Sequence, residues 1–312
     1  MDQNARENIG PAGARIPRAG SQQSENAMRQ DSLKVIDFRF RPHTAETIDG
    51  MLGPNNIFKD MFAHFRFADR AYSRPLEAIV AEMDEQGVAW GVITSRDAET
   101  TYGAPSGNKG VAAMIRRFPD KFIGFAGLDP HKGMAAVDEL KRMVLDHGMK
   151  GAATDPCLAH IPSSHARYYP IYAKCCELDI PVVITTGPGT LVPGAEMDDG
   201  HPRHIDRVAR DFPELKIVIS HGCYPWVGEA VMVVHRNANV FMDLSEYEEQ
   251  PFSEGYIQAA NTLIGDKLLF ASAHPFLDYK GQIELYKRLP FTDAVRADIL
   301  YNNAARVLGV DT

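Results

Sequence analysis

Two arginines set the chemistry to be considered. Arg39 and Arg41 stand two apart in the β-rich run VIDFRFRP (35–42), and residues two apart on a strand place their side chains on one face. Guanidinium forks grip carboxylates and can stabilise an oxyanion or enolate. They cannot acidify a bound water as a Lewis-acidic ion does. The chemistry they suit therefore needs a bound carboxylate, a stabilised anion and a proton shuttle: decarboxylation, hydration or dehydration, or retro-aldol cleavage. His221, closing the run IVISH, has a ring whose ordinary pKa of about 6.5 fits proton transfer. Asp155 in KGAATDP and His274 after LLFASA are candidate assistants, and Thr185 and Tyr224 are candidate hydroxyl contacts. Each also has a structural reading. Asp37, two before Arg39, could share the arginines' face and pair with them, because buried arginine is rarely left unpaired. Asp155 could form a turn before Pro156, and His221 and His274 could be bonded inside the fold.

The elements that must carry these residues alternate in period. Strand-like apolar runs begin near residues 33, 88, 122, 149, 180, 216, 239 and 267. Helical stripes lie between them, such as Leu76, Ile79, Val80 and Met83 with Ser73 as N-cap and Gly87 just past the end, or Ile205, Val208, Ala209 and Phe212. Strict alternation of strand and helix implies parallel strands covered by helices. Eight units fit a closed (β/α)8 TIM barrel of roughly 250 residues. A doubly wound sheet would usually carry a glycine-rich turn after its first strand, and none follows residues 33–40. In a barrel, the strands' C-terminal ends bear the active site. The candidates above all sit there.

The chain has 312 residues with a formal charge of −8, and that acidic balance argues against a general nucleic-acid or membrane-surface partner. Its 4 cysteines form no C-x-x-C pair, so a reducing, cytoplasmic setting is expected. Residues 1–32 lack apolar periodicity and are expected to be a disordered tail, leaving 33–312 as the barrel. The long connection 42–71 carries Phe58, Met61, Phe62, Phe65 and Phe67. It could be a lid over the barrel mouth or a homodimer contact.

Six segments carry a resemblance: VIDFRFRP, GFAGLDP (124–130), PVVITTG, IVISHGCYPWVGE, LLFASAHPF and ILYNNAARVLG. Together they resemble the amidohydrolase superfamily, and within it the amidohydrolase-related branch of aminocarboxymuconate semialdehyde decarboxylase and resorcylate decarboxylase type enzymes. The resemblance implies a divalent metal held by an H-x-H pair after strand one, a His after strand five and an Asp after strand eight, with a His after strand six as ligand or acid/base. Carried over residue by residue, the pair falls on Arg39 and Arg41, the strand-five His on Thr185 and the strand-eight Asp on Ala273; His221 alone matches. Arginine offers only donors and is always charged, so it cannot ligate a cation. One histidine does not make a site. No metal and no other cofactor is therefore expected. The expected activity is that of a metal-independent lyase, of decarboxylase or hydratase type, on a small carboxylated substrate. Arg39 and Arg41 would anchor the anion and His221 would move the proton, with Asp155 or His274 assisting. The alternatives are a hydrolase of cyclic amides or lactones using general-base water activation, and an inactive barrel that binds a small anion.

Overall fold

The structure is a computed structural model that describes residues 34–53 and 56–311; the tail expected over 1–32 lies outside the described residues. Eight strands follow one another: β1 (Val35–Asp37), β2 (Val88–Thr94), β3 (Phe122–Gly127), β4 (Gly151–Thr154), β5 (Val182–Thr185), β6 (Ile217–Ser220), β7 (Val240–Asp243) and β8 (Leu268–Leu269). Each pairs in parallel with the next, in sequence order. The ring closes just past the strand ends. The Phe38 N–H donates to the Phe270 carbonyl at 2.9 Å, the Arg41 N–H donates to the His274 carbonyl at 3.0 Å, and Phe40 bridges His274 in parallel register. This is the expected (β/α)8 barrel.

The helical stripes bury as their spacing predicts. Helix Leu76–Glu85 buries Leu76, Ile79, Val80 and Met83, and helix Pro202–Asp211 buries Ile205, Val208 and Ala209. The first of these starts later than Ser73 suggested, with Pro75 at its N-cap and no side-chain cap bond; proline fixes the φ that a first turn needs, so no serine is required. Gly87 takes the left-handed conformation (φ 72°) expected just beyond the end.

Alternate strand residues fill the barrel. Ile36, Phe38, Val92, Ile123, Phe125, Ala153, Val183, Val218, Leu269 and Ala271 form one buried cluster, closed below by Ala304, Ala305 and Val307 of helix Asn303–Leu308. Gly151 must lack a side chain because a Cβ there would lie 2.4 Å from the Phe125 ring. Two residues further along the same stripes come Thr94, Gly127, Asp155, Thr185 and Ser220, and the layer turns polar. That change of layer is where the site begins.

Behind β7 lies a buried carboxyl, Glu248, which is 4% exposed. The Tyr286 hydroxyl donates to its Oε1 at 3.1 Å, and burial pushes its pKa from 4.5 up to about 8. Between those two values the folded chain holds a proton that the unfolded chain has released, so this group's contribution to stability is full below pH 4.5 and is lost as pH rises through 8. Glu248→Gln is therefore expected to gain stability over the parent as pH rises from 5 to 8.5. Urea unfolding of both proteins across that range measures the difference, and a difference independent of pH would show that Glu248 titrates normally.

Candidate active site

The mouth of the barrel holds a cavity of about 470 Å³. Its chemical groups are Arg96, Asp155, Thr185, His221, Tyr224, Glu246 and Tyr247. Phe58, Met61 and Phe65 cover it from the 42–71 connection, with Phe276 and Leu277 after β8. The aromatic residues thus divide. Phe62 and Phe67 pack with Ile48 and Phe276 in a small core that anchors the cover, while Phe58, Met61 and Phe65 face the cavity.

Arg39 and Arg41 reach this region by a route the strand period did not predict. β1 ends at Asp37, whose carboxylate accepts the Arg39 N–H at 3.1 Å and the Ser272 N–H at 2.9 Å. The resulting turn shifts the alternation by one. Phe40 packs against Phe122 and Tyr279, and the arginines take the inner stripe. Arg39 Nη1 donates to Ser220 Oγ across the barrel at 2.7 Å, and Arg41 Nη2 donates to Thr94 Oγ1 at 3.0 Å. Asp37 is therefore not the arginines' ion-pair partner; it staples β1 to β8, and burial raises its pKa to about 6. Among the described residues, neither Arg39 nor Arg41 makes a salt bridge. Arg39 is 2% exposed and lies beneath the cavity rather than in its wall. Arg41 is part-buried and opens on a neighbouring cavity.

His221 is held by a chain of bonds that starts at Asp243. One Asp243 oxygen, Oδ1, accepts from Ser245 Oγ at 2.6 Å, from the His221 N–H at 3.2 Å and from Ser220 Oγ at 3.4 Å. The Ser245 carbonyl then lies 2.7 Å from His221 Nδ1. A carbonyl can only accept, so Nδ1 carries the hydrogen and the Nε2 lone pair is left to the cavity that the ring lines. Burial pushes the His221 pKa well below its ordinary value, and the charges of Arg39, Arg96 and Arg41 push it further. The imidazole is a neutral base at physiological pH. Its backbone is strained, with φ 68°, a cost of order 1–3 kcal/mol that structures keep where a side chain must be aimed.

Of the cavity groups named above, Glu246, Arg96 and Tyr247 were not singled out from the sequence. Glu246 lines the cavity with φ 78°. Burial raises its pKa from 4.5 to about 7 against the opposing pull of Arg39, Arg96 and Arg41, so it is a carboxylic acid able to give and take a proton near neutrality. Arg96 stands 3.5 Å from Asp155 Oδ1 and over the Phe58 ring at 4.7 Å. It is placed by the end of β3: a Cβ on Gly127 would lie 2.4 Å from the Arg96 nitrogen. Arg96 and Glu246 directly follow a predicted strand, 88–95 and 238–245, and that position was the available signal.

Of the seven candidates from the sequence, Asp155, Thr185, His221 and Tyr224 come together in the cavity wall. His274 does not. It is buried, stacked on Phe40, with its Nε2 2.7 Å from His43 Nδ1 and its Nδ1 3.2 Å from the Leu277 carbonyl. Burial and His43 hold its pKa down near 3, so it pins the start of the 42–71 connection to the turn after β8. Cys157 also lines the cavity, but burial pushes its thiol up to about 12, which makes it no nucleophile.

The donor set does not suit a divalent ion. Where the resemblance would place ligands there are two guanidiniums, the Thr185 hydroxyl and the methyl of Ala273. Among the described residues no group of three or more His, Cys, Asp or Glu is arranged to hold a metal.

Comparisons with known proteins bear on this geometry. A family model described as amidohydrolase matches residues 60–310. A 2-keto-4-carboxy-3-hexenedioate hydratase from Sphingobium sp. is 27% identical over 240 residues, 64% of this chain and 69% of that protein. A gamma-resorcylate decarboxylase from Rhizobium sp. is 23% identical over 290 residues, 73% of this chain and 85% of the relative. The crystal structure of an uncharacterized TIM-barrel protein from Bordetella bronchiseptica superposes with a TM-score of 0.74 at 31% identity, covering 89% of this chain and 99% of that one.

Proposed function

Because this chain belongs to the amidohydrolase family of enzymes, we propose that it is a lyase of decarboxylase or hydratase type, acting on a small carboxylated molecule without a metal ion. The observation that carries this reading is a neutral imidazole lining the cavity together with Arg96, with Arg39 beneath that cavity and Arg41 opening on its neighbour, neither of these last two in a salt bridge among the described residues. Unpartnered buried cations make a site whose natural complement is an anion. The names of the two curated relatives, a hydratase and a decarboxylase, support the lyase class.

Both reactions leave an electron pair beside a carboxylate or carbonyl. In hydration, Nε2 of His221 takes a proton from water as the oxygen joins carbon. The pair released from the double bond spreads onto oxygen as an enolate, and Glu246 returns a proton to carbon. In decarboxylation, the pair of the breaking C–C bond spreads in the same way, and only the proton return is needed. Arg96 and Arg41 carry the substrate's charge, and Arg39 supplies positive potential from below. Such fixed charge in a water-poor site stabilises a developing anion without reorganising. Asp155 holds Arg96, while Thr185 and Tyr224 offer hydroxyl contacts. The aromatic cover suits a flat, unsaturated skeleton. Among the described residues no helix is long and apolar enough to cross a membrane.

The test is product analysis with chelator-treated protein and a panel of hydroxybenzoates and unsaturated carboxylic acids. Carbon dioxide release or addition of water to a double bond, at a rate unchanged by prior chelation, is expected. A ring-opened acid carrying oxygen from labelled water would assign hydrolysis instead. Turnover that returns only with an added divalent ion would overturn metal independence. Saturable binding with no turnover across the panel would mark an inactive anion-binding barrel.

A further inference from the structure

A second cavity of about 340 Å³ adjoins the first. Arg96 belongs to both linings, so the two spaces meet at that residue. The second is walled by Arg41, Thr94, Ser95 and Thr47, with Gly107 on the far side and Glu46 at the exposed rim. Its charge is set by two arginines. Ser95 is 5% exposed, and its Oγ has no hydrogen-bond partner among the described residues. A buried hydroxyl with no partner costs about 1–3 kcal/mol, which points to a group that arrives from outside to accept from it. Gly107 packs close to it, and a Cβ there would lie 3.1 Å from Ser95 Oγ, so a larger residue would crowd the hydroxyl. The arginines' charges also repel one another, since Arg96 and Arg39 both depress the Arg41 pKa. An added anion relieves that repulsion.

We propose that the substrate carries at least two carboxylates, one in the main cavity beside His221 and one in this outer cavity between Arg41 and Arg96, accepting from Ser95 Oγ–H. This deepens the lyase reading and rests on it. The second carboxylate takes no part in bond breaking. It fixes the reacting carbon relative to Nε2 of His221, using binding energy remote from the chemistry.

The test is calorimetric titration of the full-length protein with matched acids: benzoate against benzene-1,3-dicarboxylate, and butyrate against glutarate. The dicarboxylate of at least one pair is expected to bind about tenfold more tightly than its partner, the effect of one charge-assisted bond and its guanidinium contacts. In Ser95→Ala and Arg41→Gln that ratio is expected to fall toward one. A ratio near one in the parent, with monocarboxylates still binding and competing with turnover, would overturn the second-carboxylate site and leave the lyase reading standing. A parent ratio that survives both substitutions would also overturn it. Failure of every acid to bind would bring down both.

Discussion

For hydration, His221→Gln is expected to lower kcat/KM by about 10²–10⁴-fold, the usual worth of one positioned acid or base, with little change in the unfolding midpoint. Glutamine can still donate toward the Ser245 carbonyl, so the network from Asp243 survives while the Nε2 base is lost. The pH profile separates this role from a structural one. Burial and Arg39 hold the His221 pKa well below 6.5, so the base sets no limb near neutrality. Glu246, near 7, must be protonated to return a proton to carbon, so the rate should fall about tenfold per unit above pH 7. Glu246→Gln should be slow at pH 6 and should lose that alkaline fall. A parent profile that is flat from pH 6 to 9 would remove Glu246 from the mechanism, and near-parental rates in His221→Gln would remove His221.

How much of this was legible in the sequence differs by residue. The eight strands and their covering helices could be read because burial imposes a period, as the stripe from Leu76 to Met83 shows. His221 could be placed because it ends β6. The same rule, applied to the first charged residue after each of β2 and β7, reaches Arg96 and Glu246. What could not be read were exceptions to period and contacts at long range. Strand alternation allows Asp37 to share a face with Arg39, yet its carboxylate captures the Arg39 N–H and turns the chain, so a local side-chain bond overrides the strand alternation. That same turn sends both guanidiniums inward, onto Ser220 and Thr94. His274 pairs with His43 across 231 positions, and no local pattern announces such a partner. For the 42–71 connection no local pattern says which ring faces where: Phe58, Met61 and Phe65 line the cavity, and Phe62 and Phe67 pack in the small core beside it.

Arg39→Gln is expected to lower kcat by about two to three orders of magnitude, equivalent to roughly 2.7–4 kcal/mol for a lost stabiliser of the developing anion, while KM changes far less. The reason lies in where Arg39 sits. It is sealed under the cavity, out of the substrate's direct reach, so its charge counts most when negative charge accumulates above it during the reaction. It also sets the state of its neighbours: it lowers the pKa of Asp243 and Glu246 and, after burial, is the largest force depressing His221. Removing it should raise the His221 pKa toward 6.5, which NMR titration of the ring reads directly and which a loss of packing alone would not produce. Arg39→Lys keeps the charge but forfeits the fork that meets Ser220, and should restore both the depressed pKa and part of the rate. If Arg39→Gln turned over normally, or if the lysine variant rescued neither measurement, the charge beneath the cavity would have no part in catalysis. The anion would then have to be stabilised by Arg96 and Arg41 alone.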